Sequence, residues 1–121
     1  LSEGVNQGRI TLMDLARLLS ENPARRFGLY PKKGVIAIGS DADLTVIDLN
    51  REWVIKADEL HQRSGWTPYE GYRCRGRIYM TILRGEIIYR DGEVLGREGY
   101  GEYVKRGRPG RLSPVRGGGK A

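Results

Sequence analysis

The stretch from Lys33 to Asp48, KGVIAIGSDADLTVID, constrains this chain most, because it divides helix from sheet. Before it, apolar residues recur at helical spacing; after it, they alternate or gather in short runs rich in β-branched side chains. Within it, Val35, Ile36 and Ile38 read as one short strand, Gly39-Ser40-Asp41 as a turn and Leu44-Thr45-Val46-Ile47 as a second strand, so a hairpin is expected. The boundary between helix and sheet falls near Tyr30 to Lys33.

Upstream, Leu1 to Arg9 is polar and carries two glycines, as a loop would. Thr11 is a suitable helix cap, with Asp14 placed three residues on for a weak form of the capping box. Leu12, Leu15, Ala16, Leu18 and Leu19 then make a wide apolar stripe that demands a large partner. Asn22-Pro23 looks like a restart, Asn as cap and Pro in the first turn where its missing N–H costs nothing, and Gly28 like a left-handed stop. A helix and a helical turn are too little to enclose a core.

Downstream, Trp53-Val54-Ile55 reads as a third strand and residues 56–60 as a polar turn or short helix. His61 to Tyr72 is punctuated by Gly65, Pro68 and Gly71, and its rings, Trp66 and Tyr69, are expected to cover a hydrophobic edge. Gly76 to Leu83 alternates, with Ile78, Met80 and Ile82 on one face and Tyr79, Thr81 and Leu83 on the other, as a strand covered on both sides would. Arg84-Gly85-Glu86 and Asp91-Gly92 supply tight reversals around Ile87-Ile88-Tyr89, and Glu93-Val94-Leu95 adds a last short strand. The class is α+β, with five or six strands from Val35 onward. Tyr100, Tyr103 and Val104 are candidates to dock on the body, and disorder is expected after Arg108.

A length of 121 residues suits one small domain, and 18 glycines suit a turn-rich β unit. The formal charge of +6 points at first to a polyanion. Residues 1–96, however, hold 14 Lys and Arg against 13 Asp and Glu, while residues 97–121 hold 7 against 2. The body is near neutral, the excess lies in the tail, and nucleic acid is disfavoured as a partner. A lone Cys74 excludes an internal disulfide, and no stretch has the roughly 18 apolar residues of a membrane span. The default reading is a cytoplasmic protein without a membrane partner.

Catalytic constellations are sparse. His61 is the sole histidine, so neither a histidine-rich metal site nor a base for Ser64 or Cys74 is evident. Asp41, Asp43 and Asp48 lack the terminal Glu of a calcium loop; the simpler account has Asp41 accepting backbone donors in the turn while Asp43 and Asp48 bracket the strand. Gly34 and Gly39 lack the Gly-Lys-Ser/Thr ending of a phosphate loop. No catalytic, cofactor-binding or metal-ligating residue is assigned in this chain.

Three strings together carry a resemblance: NPARRFGLYPKKGVIAIGSDADLTVIDL, TPYEGYRCRGRIYMTILRGEIIYRDGEV and GYGEYVKR. They resemble the C-terminal end of the cyclic amidohydrolases, the group of dihydroorotase, allantoinase and hydantoinase or dihydropyrimidinase. The resemblance implies a fragment. Residues 1–32 would be the last helical segment of a metal-bearing (β/α)8 barrel, residues 33–96 the C-terminal half of a small β-sandwich, and residues 97–121 a basic extension. It further implies that the metal centre, two zinc ions bridged by a carboxylated lysine with histidines and an aspartate, precedes Leu1.

On this resemblance the intact parent hydrolyses a cyclic amide and assembles as a homo-oligomer. Dihydroorotate, and so pyrimidine metabolism, comes first among its substrates, allantoin second and dihydropyrimidines or hydantoins third. The present chain would be inactive alone, its partners being the missing barrel and N-terminal sandwich strands. A start without methionine is expected of a fragment or of an unusual start. The contrasting expectation is a free-standing, non-catalytic β module that binds a protein or, through its tail, nucleic acid.

Overall fold

The computed structural model describes residues 1–108 and 110. A helical segment near the N-terminus is followed by a long loop and a four-stranded antiparallel meander, β1 (Leu44–Val54), β2 (Arg73–Leu83), β3 (Glu86–Arg90) and β4 (Glu93–Val94). The class is α+β.

The helical segment opens as its residues dictate. Thr11 has extended backbone geometry and its side chain accepts the N–H of Asp14, while the Asp14 carboxylate accepts from the Thr11 backbone at 3.1 Å and hydroxyl at 2.7 Å. The capping box is complete, and Asp14 is fully buried by it. From there α1 (Leu12–Ala16) passes through a π-turn at Arg17–Glu21 into α2 (Asn22–Arg26).

The expected restart at Asn22-Pro23 is therefore corrected. Asn22 is helical, φ −64° and ψ −44°, and its N–H reaches back five residues to the carbonyl of Arg17. In a regular helix the Pro23 ring would clash with the carbonyl four residues back, and the wider π-turn relieves that conflict without breaking the helix. At the far end Gly28, at φ +69°, closes a Schellman motif: its N–H donates to the Arg25 carbonyl and that of Leu29 to the Ala24 carbonyl.

The hairpin expected over Val35–Ile47 is also corrected, because Val35 to Ile38 is loop and not strand. The partner of Leu44–Ile47 is β2, with Leu44 opposite Ile82 and Ile47 opposite Ile78. Residues 35–38 pair with no strand among the described residues, although the outer edge of β1 stays open; glycines at φ +85° and +91° bend the chain on either side, and Ile36 and Ile38 point into solvent. β-branched residues do not make a strand without a neighbouring backbone to bond.

Trp53 and Val54 belong to β1, which is continuous from Leu44 through a wide bulge. Asp48 pairs with Arg77 and Glu52 with Arg75, so three residues on one strand face Gly76 alone on the other. The bulge is held by its own side chains: the Asp48 carboxylate accepts the N–H groups of Asn50 and Arg51, and the Trp53 indole donates to the Gly76 carbonyl at 3.1 Å. β2 likewise begins at Arg73, not Gly76. The expected five or six strands thus become four among the described residues.

Both two-residue turns follow their sequences. Arg84-Gly85 and Asp91-Gly92 have all four φ values positive, the twist that closes an antiparallel hairpin. Residues 1–6 dock on the bulge, with Ser2 and Asn6 side chains bonded to the Arg75 backbone.

Among the described residues, the buried hydrophobic core is Ala24 alone. Met13, Leu19 and Phe27 of the helical segment are exposed, as are Val46, Ile78 and Tyr79 of the sheet. The two-sided cover expected for β2 is not supplied within the described residues. The expectation that Trp66 and Tyr69 lie over an edge is corrected as well, since both rings are mostly exposed. Among the described residues the sheet is a single layer, and no helical turn packs directly on a strand. No helix among the described residues is long and apolar enough to cross a membrane.

Candidate functional site

What joins helix to sheet is an electrostatic knot in the loop between them, and it is the most organised polar cluster of the described chain. Gly34 brings the loop against the helix so closely that an added Cβ would lie 2.5 Å from Ala24 Cβ and 2.8 Å from the Ser20 carbonyl oxygen. That approach sets Lys33, half-buried, facing Asp41 and Asp43. Lys33 Nζ donates to Asp41 Oδ2 at 2.8 Å and to Asp43 Oδ2, while Lys32 Nζ donates to Asp41 Oδ1 at 3.0 Å. The remaining oxygen of Asp43 accepts the backbone N–H of Arg84 at 2.9 Å, and the Ala42 carbonyl accepts that of Gly85 at 3.0 Å. One loop thereby grips both the helix and the tip of the β2–β3 turn.

The charges are mutually satisfied. Desolvation acts to lower the Lys33 pKa, but hydrogen bonds to Asp41 and Asp43, with their negative charge, outweigh it and hold the ammonium above its ordinary 10.5. Hydrogen bonds from Lys33 and Lys32 hold the Asp41 carboxyl below its ordinary 3.8. Asp41 therefore accepts lysine ammonium groups, where backbone donors were expected. Asp43 is the one that accepts a backbone donor.

The three aspartates of the calcium-like pattern are split by the fold. Two of them hold Lys33, the chain's own cation, and Asp48 serves the bulge in β1. His61 is exposed in the loop after β1, Ser64 donates its hydroxyl to the Trp66 carbonyl, and half-buried Cys74 pairs across strands with Trp53. Among the described residues no three His, Cys, Asp or Glu side chains converge to hold a metal ion. The donor set of the described residues does not fit a zinc pair.

Reading the sequence missed two participants. Arg84 lies at φ +48° with its guanidinium 4.3 Å over the Tyr100 ring, and Lys33 is the hub of the knot. Arg84 acts through residues distant in sequence, and Lys33 meets Asp41 and Asp43 only because the loop folds back across the intervening turn.

The profile of the Amidohydrolase family matches residues 1–88. The dihydroorotase of Pyrococcus furiosus is 43% identical over 108 residues, covering 89% of this chain and 26% of that protein. The D-hydantoinase of Geobacillus stearothermophilus is 45% identical over 111 residues, covering 92% of this chain and 24% of that protein. Among solved structures, a D-hydantoinase superposes with a TM-score of 0.85 at 37% identity, covering 90% of this chain and 24% of its own. The dihydropyrimidinase of Brevibacillus agri does so with a TM-score of 0.85 at 34% identity, covering 91% and 24%. The chain thus spans about a quarter of the relatives it matches.

Proposed function

This chain belongs to the amidohydrolase family, and we propose that it is the non-catalytic closing segment of a metal-dependent cyclic amide hydrolase. The observation that carries the reading is the mismatch in coverage. Nine-tenths of this chain is matched by only a quarter of its relatives, at identities well above those of chance likeness. A segment built to dock on the rest of such a protein accounts for the bare apolar residues on helix and sheet. Each Leu, Met or Phe that becomes fully buried contributes about 1.5–3 kcal/mol, which a surface turned to water forgoes.

Placement at the closing end rests on the residues themselves. On the family resemblance, the opening of the barrel carries two close histidines, whereas this chain has one histidine, exposed and in a loop. The reactive centre then lies in the other part of the parent, and so do the zinc ions. The knot of Lys33, Asp41 and Asp43 fixes how the helix and the sheet are presented to that part. The proposed setting is cytoplasmic, with the parent a homo-oligomer.

Dihydroorotate is the first candidate substrate of the parent. A hydantoin or dihydropyrimidine is the second, favoured by the 45% identity to the Geobacillus stearothermophilus enzyme. The choice is made by side chains of the barrel, which this segment holds in place.

The test is to express the chain alone and together with the coding region that adjoins it, then to assay hydrolysis of dihydroorotate and hydantoin beside bound zinc. Activity and zinc are expected only in the joined protein, with the barrel encoded upstream. A barrel encoded downstream overturns the placement. Turnover by the isolated chain with stoichiometric metal overturns the whole reading.

A further inference from the structure

Besides the lysine knot, a second connection runs from sheet to helix without passing through the core. At one end the Tyr100 hydroxyl donates to the Leu83 carbonyl at 3.1 Å, and Arg84 both stacks over the Tyr100 ring and donates to its carbonyl. At the other end the Gly107 N–H donates to the Gly28 carbonyl at 2.7 Å, and the Gly110 N–H to the Arg25 carbonyl at 2.8 Å. The fit at Gly28 is close enough that a Cβ there would lie 2.3 Å from the Gly107 carbonyl oxygen. Between these ends Glu102 to Lys105 roof a cavity of about 250 Å³ above Lys32, Lys33, Asp41 and Arg84.

We propose that residues 100–107 form a strap that clamps the helix terminus to the β2–β3 turn, and that its two ends close and open together. The middle of the strap has little to hold it among the described residues: Tyr103 is 88% exposed, and Glu102 makes a 3.6 Å contact with Arg84. When one pin is removed, the other must close a longer free loop, so its own closing becomes less favourable. The strap fixes the angle between the apolar helix face and the sheet. Its geometry stands whether or not the rest of a hydrolase docks there.

Amide hydrogen exchange of the full chain, read by mass spectrometry, tests this in whatever assembly the protein forms. Tyr100→Phe removes only the hydroxyl bond, and Tyr100→Ala removes the ring as well. If the ends are coupled, Tyr100→Ala speeds exchange of amides 105–108 by about fivefold or more, Tyr100→Phe does so to a smaller degree, and Tyr103→Ala leaves them unchanged. Met80 and its neighbours on β2 serve as the control for global unfolding; should Tyr100→Ala unfold them, Tyr100→Phe alone decides. Unprotected exchange at Gly107 in the unaltered chain, or acceleration confined to the neighbourhood of residue 100, overturns the strap.

Discussion

Asp43 accepts the backbone N–H of Arg84 at 2.9 Å across 41 residues of sequence. It thereby steadies the first residue of the β2–β3 turn, which a bulky side chain enters at some cost because φ is +48°. The same carboxylate holds Lys33, so a single residue braces a strained turn and neutralises a half-buried ammonium.

Removing that residue should therefore cost more than a surface ion pair. Asp43→Ala is expected to destabilise by about 1–3 kcal/mol, as loss of a charge-assisted hydrogen bond does, and Asp43→Asn by less because an amide oxygen still accepts from Arg84. Urea denaturation gives the shift in midpoint. Equal losses for the two variants would mean that charge, and not the bond to Arg84, is what matters.

The knot also predicts how stability varies with pH. Asp41 has a folded pKa below its ordinary 3.8, so its contribution is complete above 3.8 and disappears as pH falls through the depressed value. Lys33 has a folded pKa above its ordinary 10.5, so its contribution is complete below 10.5 and disappears as pH rises through the raised value. Thermal melts across pH should show a plateau between those limits, and Asp41→Asn should flatten the acid limb. An acid limb unchanged by Asp41→Asn would remove Asp41 from the account.

Two glycines with nearly the same backbone geometry separate strain from crowding. Gly8 at φ +67° has open space where a Cβ would project, whereas Gly28 at φ +69° has the Gly107 backbone there. Each Gly→Ala change should cost about 1–2 kcal/mol for the left-handed backbone. Gly28→Ala should cost measurably more, and the excess should vanish in a chain ending at residue 106. Equal losses at the two sites would deny the close approach.

The bare helix face predicts self-association of the isolated chain. Met13 is 63% and Leu19 is 70% exposed, and helix and sheet leave further apolar side chains open nearby. Met13→Gln with Leu19→Gln should reduce light scattering and dye binding by the isolated chain, yet weaken its assembly with the remainder of the parent. Improved assembly would place the docking face elsewhere.

The chemistry of near neighbours in sequence was enough to determine several elements. Thr11 and Asp14 complete their capping box, Gly28 ends the helix, and Arg84-Gly85 and Asp91-Gly92 make their turns, because each needs only backbone groups a few residues away. The sequence also pointed to the family, through three strings whose combination outweighs any one of them. Tertiary structure decided the rest. Val35 to Ile38 lies between the left-handed Gly34 and Gly39 and pairs with no strand among the described residues, while Leu44 to Ile47 pairs with β2, far along the chain. Whether β1 could run unbroken past Asp48 depended on Gly76 opposite. Lys33 owes its role to carboxylates 8 and 10 residues on, and Arg84 and Gly107 owe theirs to groups tens of residues distant; no local pattern of apolar spacing or turn residues encodes such meetings. They exist only once the chain has closed on itself.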